Sequence, residues 1–103
     1  MKLQQIRFIL AIEQNDLNIS KAAKHLYTSQ PGVSRQLRLL EEELGVSLFA
    51  RNGKQLTGIT EQGKILLDKF KNIMLLVGEI KDLSKQEMPN RVSFSDLPRL
   101  SVA

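Results

Sequence analysis

The sequence predicts a mainly α-helical fold, in which three helices and a two-stranded hairpin precede a long fourth helix. Apolar residues recur at helical spacing in four segments of the chain. The second and third segments are joined by YTSQPG, a stretch rich in residues that start helices and form turns. An Asn-Gly pair, typical of tight hairpin turns, lies between two short β-type segments before the last helix. Together these observations predict a winged helix-turn-helix with a long helix after the wing.

The first two predicted helices supply much of the core. Residues 3–14 carry apolar side chains around much of the helix circumference, so this helix is expected to contact two neighbours. The second helix is the short segment SKAAKHLY, for which Asn18 and Ser20 are alternative N-caps. Ala22 and Ala23 are small enough for another helix to cross closely, as in a helix-turn-helix.

The third predicted helix has two chemically different faces. Its apolar stripe contains Val33, Leu37, Leu40 and Leu44, and Gly45 is the expected C-cap. Either Thr28 or Ser29 is expected to cap its start. The first turn and the face opposite the stripe carry a proline among polar and basic residues, a combination that suits the major groove of DNA: Gln30, Pro31, Ser34, Arg35 and Arg38.

The wing and the long helix complete the predicted fold. VSLFAR and QLTGI are expected to form antiparallel strands around the turn NGK, and Thr60 to cap a helix over residues 60–86. That helix would be about 40 Å long at 1.5 Å per residue, more than so small a domain needs, so it is expected to pack on a partner. The predicted dimer interface follows coiled-coil spacing: Leu66, Phe70, Ile73, Val77 and Ile80. The same stripe could pack on the first helix, and both contacts are expected.

Composition favours a nucleic-acid partner and disfavours an enzyme. The net charge is +4, and residues 17–40 and 44–60 contain lysine and arginine but no acid. The absence of cysteine excludes disulfides and thiolate metal sites, and a single histidine, His25, cannot hold a metal alone. No glycine-rich phosphate loop is present, so neither a cofactor nor catalysis is expected. No apolar run approaches the ~20 residues of a membrane span, so a cytoplasmic protein without membrane contact is expected.

The long ungapped motif SQPGVSRQLRLLEEELGVSLF, followed by the NGK turn and TEQGK, resembles the N-terminal DNA-binding domain of LysR-type transcriptional regulators. Within this family, MKLQQ, LNIS, LYTSQPG and FARNGKQLT are similar to the cysteine-regulon activators, which control sulfur assimilation. The resemblance covers residues 1–86. It implies a DNA-binding domain over residues 1–59, a linker and dimerisation helix over 60–86, and over 87–103 a hinge and the start of an absent effector domain.

The resemblance also implies partners and contacts. The partners are double-stranded DNA, bound at an interrupted inverted repeat, and a second copy of the chain, with tetramers in a full-length protein. A small-molecule effector would act only through the absent domain. The base contacts implied in the major groove are Gln30, Pro31, Ser34 and Arg35, and Lys54 would enter the minor groove from the wing. DNA backbone contacts are expected from Ser20, Thr28, Ser29, Arg38 and Arg51.

Other interpretations of these residues remain open. From composition alone, Arg35 and Arg38 could equally form a solvated helix face. The run Glu41 to Glu43 could be a solvated helix end, or Glu42 could pair with Arg38 one turn earlier. For the whole chain, the alternative function is a winged-helix protein-interaction module that does not read DNA.

Overall fold

A computed structural model describes residues 1–85; the predicted hinge over 87–103 lies outside them. The structure confirms the predicted winged helix-turn-helix and long helix. Its elements, in chain order, are α1 (Leu3–Gln14), α2 (Ile19–His25), α3 (Gln30–Leu44), β1 (Phe49–Asn52), β2 (Gln55–Ile59) and α4 (Glu61–Lys85).

One apolar core joins the helices to the base of the wing. Its centre is α1, which packs against α2, α3 and α4 and so uses the wide apolar circumference that its sequence predicts. The largest fully buried side chains come from four elements and the turn before β1: Ile6, Ile9, Ile12, Val33, Leu37, Leu40, Leu48, Phe49 and Leu67. This core fixes which face of α3 is left outside.

Helix caps resolve the alternatives at the starts of α2 and α3. The Asn18 side chain accepts a hydrogen bond from the Lys21 N–H at 3.0 Å, so Asn18 caps α2 and Ser20 lies inside the helix. The Ser29 hydroxyl accepts from the Gly32 N–H at 3.1 Å, so Ser29 rather than Thr28 caps α3. Both caps satisfy backbone donors that the first helical turn leaves unpaired.

The turn between α2 and α3 is reached earlier than predicted. The segment SKAAKHLY was predicted to form the second helix, with a turn from Tyr27 to Gln30, but α2 ends at His25 and α3 already begins at Gln30. Tyr27 adopts a left-handed conformation with φ of 54°, and the Thr28 N–H donates to the Ala23 carbonyl at 3.0 Å. This hydrogen bond closes the end of α2 in the manner of a Schellman motif, whose left-handed position is usually glycine.

The wing is a two-stranded antiparallel sheet in which Phe49 pairs with Ile59 and Asn52 with Gln55. Its turn contains Gly53 at φ of 63°, as the NGK stretch predicts. The first strand is shorter than VSLFAR and begins only at Phe49. The reason is that the Leu48 N–H donates to the Glu41 carboxylate at 2.7 Å instead of to another strand.

The long helix begins as predicted, because the Thr60 hydroxyl accepts from the Gly63 N–H at 2.9 Å. Its first turn lies directly on the base of the wing. A Cβ atom added to Gly63 would come within 2.1 Å of the Leu48 carbonyl oxygen, so only glycine allows this approach. No helix within residues 1–85 is long and apolar enough to cross a bilayer.

The predicted dimer interface on α4 is wrong at Phe70. This side chain is only 2% exposed and belongs to the core of the monomer, together with Leu67 on the same face. Leu66, Ile73 and Val77 are half-buried, and Ile80 is exposed. A second apolar stripe, roughly opposite the core-facing one at 100° per residue, contains mainly residues that the prediction omitted. We call it the outer stripe of α4, and it consists of Ile65, Leu76, Ile80 and Leu83.

Candidate nucleic-acid interface

The outer face of α3 is fixed by what its inner face buries. Val33, Leu37 and Leu40 are all fully buried against the core. Because side chains on opposite faces of a helix point in opposite directions, Arg35 and Arg38 are held in solvent. Pro31 is also exposed and Ser34 is half-buried beside it.

Two concave surfaces collect most of the predicted contact residues. The first lies between the outer face of α3 and the base of the wing, and its lining includes Pro31, Ser34, Arg35, Arg38 and Arg51. The second lies where the N-termini of α2 and α3 meet the tip of the wing, and it contains Ser20, Gln30 and Lys54. The other two predicted residues, Thr28 and Ser29, are exposed on the turn before α3. The fold therefore places all ten predicted DNA contacts on or beside one helix and one hairpin.

The Gln30 side chain has a hydrogen-bond partner in the second concave surface. The Ser20 hydroxyl donates a hydrogen bond to the Gln30 Oε1 at 2.8 Å. Ser20 was predicted to contact the DNA backbone, whereas its hydroxyl is directed at another predicted contact residue. This hydrogen bond links α2 to the first residue of α3 across the turn.

Acidic residues hold some of the basic side chains near α3. Arg51 donates from Nη2 to the Glu41 Oε1 at 3.0 Å, and Arg38 lies 3.9 Å from Glu42, the pair predicted from their spacing. Arg35 and Lys54 form no ion pair within the described part of the chain. Unlike Arg38 and Arg51, these two side chains can contact an anion without giving up an ion pair within the described residues.

Sequence reasoning missed the role of Glu41. Its carboxylate accepts from the Leu48 N–H at 2.7 Å and from Arg51, and the side chain is only 13% exposed. It thereby holds the base of the wing against the last turn of α3. The signal in the sequence was an acid at a helix C-terminus, where the helix dipole disfavours negative charge unless other groups compensate it.

Sequence reasoning also missed the unusual backbone conformation of Tyr27. This residue lies three residues before Gln30, is 97% exposed and adopts the left-handed conformation described above. The left-handed conformation costs an L-residue about 1–2 kcal/mol of stability. Because the Tyr27 ring is almost fully exposed, packing offsets almost none of this cost. Its identity in the motif LYTSQPG gave no indication of the backbone conformation.

Comparisons with known proteins agree with this geometry. Residues 3–64 match the family described as bacterial regulatory helix-turn-helix protein, lysR family. The chain is 41% identical over 86 residues to the HTH-type transcriptional regulator CysB of Haemophilus influenzae, which covers 84% of this chain and 27% of that protein. It is 42% identical over 84 residues to the regulator Cbl of Escherichia coli strain K12, covering 82% of this chain and 27% of that one. The chain thus spans about a quarter of the length of these relatives.

Solved structures show the same fold. The crystal structure of the CbnR_DBD-DNA complex has a TM-score of 0.72 and 34% identity, covering 82% of this chain and 94% of that one. The BenM_DBD/catB site 1 DNA complex has a TM-score of 0.76 and 29% identity, covering 82% of this chain and 89% of that one. With the family match over more than half of its residues, the chain belongs to the lysR family of bacterial regulatory helix-turn-helix proteins.

Proposed function

We propose that this chain binds double-stranded DNA sequence-specifically, as the DNA-binding part of a transcription regulator. One observation carries the proposal: the exposed face of α3 presents Gln30, Ser34 and Arg35 beside a basic wing, on a fold shared with chains solved as DNA complexes. A helix of this kind fits the major groove, where base edges offer a distinct pattern of donors and acceptors.

The contacts divide into those that read bases and those that position the domain. In the proposed complex, Arg35 pairs with guanine and Gln30 reaches a second base, while Pro31 and Ser34 contact a thymine methyl group. Phosphates are contacted from the turn before α3 and from its outer face, by Thr28, Ser29, Arg38 and Arg51. Lys54 extends from the wing into the adjacent minor groove.

The functional unit in this proposal is a homodimer on an interrupted inverted repeat. A two-fold pair of domains matches a repeat with the same symmetry, so each copy of α3 would contact one half-site. The outer stripe of α4 leaves Leu76, Ile80 and Leu83 more than half exposed, and burial against a second copy would remove this apolar surface from water. Tetramers and a small-molecule effector would require the longer chains that the relatives have.

We further propose that the regulated genes serve sulfur and cysteine metabolism in the cytoplasm. The support is the similarity to the cysteine-regulon branch in four separate segments, MKLQQ, LNIS, LYTSQPG and FARNGKQLT, together with the relatives named CysB and Cbl. Three of these segments contribute to the surface around α3 and the wing, where a shared operator would be recognised.

Selection from random duplexes, followed by affinity measurements at several salt concentrations, tests the proposal. The expected result is an enriched inverted repeat and a linear fall of log K with log salt. No enriched sequence, together with no salt-dependent binding to any duplex, would instead favour the alternative, a protein-interaction module without DNA readout. The salt slope separates the two because only DNA binding releases condensed counterions.

A further inference from the structure

Building on the proposed DNA binding, we infer that Ser20 is a specificity-determining residue that acts through Gln30. The Ser20 hydroxyl donates to the Gln30 Oε1 at 2.8 Å, and both residues line the concave surface beside the wing tip. This hydrogen bond orients the amide of Gln30. The amide nitrogen, with its two N–H donors, then points away from Ser20 and is the end best placed to contact DNA.

The orientation of the amide decides which bases the Gln30 side chain can contact. A glutamine free to rotate can offer either its oxygen or its nitrogen, and its two-point contact with adenine uses both. Once Ser20 occupies one of the two lone pairs of Oε1 and holds that oxygen toward α2, the amide nitrogen is the end of Gln30 best placed to contact a base, and it offers donors. In the major groove guanine offers two neighbouring acceptors, N7 and O6, whereas adenine offers one acceptor and one donor, and cytosine offers a donor. The constrained Gln30 therefore favours guanine.

The fold itself has no other need for this hydrogen bond. The start of α2 is capped by Asn18 and the start of α3 by Ser29, so Ser20 is not required as a cap. Both Ser20 and Gln30 are exposed, and neither would be left buried without a partner if the bond were lost. Its main consequence is therefore the direction of Gln30, not the stability of the helices.

The test compares base preferences of the wild type with those of Ser20→Ala. The base pair contacted by Gln30 is first identified as the one at which Gln30→Ala loses discrimination. At that pair, wild type is expected to prefer guanine, and Ser20→Ala to lose about fivefold or more of this preference while tolerating adenine. Ser20→Thr keeps the hydroxyl and should restore the preference. Thr57→Ala removes an exposed hydroxyl on the wing that has no proposed DNA contact and serves as the matched control, with no change at this pair.

A double-mutant cycle makes the mechanism explicit. If Ser20 acts through Gln30, Ser20→Ala should have no effect on base preference in a Gln30→Ala background. A uniform loss on all duplexes with a smaller salt slope would show that Ser20 contacts phosphate, and would overturn the inference. An unchanged preference in Ser20→Ala would also overturn it, while leaving the proposed DNA binding intact. Failure of the proposed function itself would be visible earlier, as a wild type without any sequence preference.

Discussion

At the scale of single residues, the arginines beside α3 differ in whether an acid holds them. Arg51 is tied to Glu41 at 3.0 Å, and Arg38 lies 3.9 Å from Glu42, whereas Arg35 has no ion pair among residues 1–85. Arg35 can therefore approach a base without giving up a protein partner. Arg38 must exchange a weak exposed ion pair for a phosphate, which costs little because such pairs contribute about 1 kcal/mol or less.

Replacing these two arginines should give different losses. Arg35→Ala is expected to remove roughly 1–3 kcal/mol of discrimination at one base pair, because it removes a bidentate base contact. Arg38→Ala should weaken all duplexes alike and reduce the salt slope by about 1, because it removes a phosphate contact. Competition titrations with single-base variants at several salt concentrations measure both effects. Equal losses on specific and random DNA for the two variants would show that Arg35 does not read a base.

Tyr27 provides a test of stability at a single residue. Its left-handed conformation suits glycine better, so Tyr27→Gly is expected to raise the free energy of unfolding by up to about 1 kcal/mol. Lys24→Gly, three residues earlier within α2, should lower the free energy of unfolding by about 1 kcal/mol, because glycine is a poor helix former. Urea denaturation compares the two variants. A loss of stability in both would contradict the assignment of strain to Tyr27.

At the scale of elements, two glycines of α4 have different surroundings. Replacing one tests close packing, and replacing the other tests helix propensity. Gly63 lies against the Leu48 carbonyl oxygen, whereas a Cβ at Gly78 would meet nothing within 4 Å. Gly63→Ala is therefore expected to destabilise the fold by about 1–3 kcal/mol through overpacking. Gly78→Ala should stabilise it by roughly 1 kcal/mol through helix propensity. Thermal unfolding of the two variants measures this difference in sign, and a similar shift for both would exclude a close contact at Gly63.

The outer stripe of α4 predicts how oligomerisation responds to substitution. Leu76→Glu is expected to give a folded monomer. Dimerisation would have to bury the unpaired glutamate charge, which is costly, whereas the monomer core does not contain this position. Phe70→Ala should instead cost about 3–5 kcal/mol of stability by leaving a cavity. Sedimentation and circular dichroism distinguish the two outcomes. Asp82→Lys, at an exposed position outside both stripes, is the control, and a dimer that survives Leu76→Glu would place the interface elsewhere.

Helices, strands and their faces could be predicted from the sequence wherever they depend on residues that are close in the chain. The period of Val33, Leu37 and Leu40 was sufficient to predict the inner and outer faces of α3. The inward face of α4 was harder to predict, because two apolar stripes on one helix both show spacings of three and four residues. The assignment of Phe70 to the core depends on the position of α1, which periodicity within α4 does not contain.

The same reasoning explains what was missed at the candidate interface. The contact between Glu41 and Arg51 joins residues ten positions apart across the turn at Gly45, so it depends on the path of that turn. The hydrogen bond from Ser20 to Gln30 likewise depends on the angle between α2 and α3. Residue types and helix faces predicted which side chains surround the site, whereas their pairing required the tertiary structure.

At the scale of the whole molecule, the proposed dimer fixes the distance between two copies of α3. Inserting about five base pairs between the half-sites rotates one relative to the other by half a helical turn of DNA. One rigid dimer could then no longer contact both, and affinity should fall toward that for a single half-site. An insertion of about ten base pairs restores the relative orientation and should recover part of the affinity if α4 can accommodate the extra distance. Insensitivity to both insertions would indicate independent monomers.

The two faces of α4 also bear on how related regulators can coexist in one cell. The core-facing residues Leu67 and Phe70 are constrained by the monomer, whereas Ile65, Leu76, Ile80 and Leu83 are free of contacts that the fold requires. Substitutions along the outer stripe can therefore accumulate without loss of folding. Discrimination between self and a close relative needs only a mismatch of shape or charge along such a stripe. In the proposed dimer, such substitutions would let duplicated genes acquire separate homodimers and so avoid mixed pairs with incompatible operator halves.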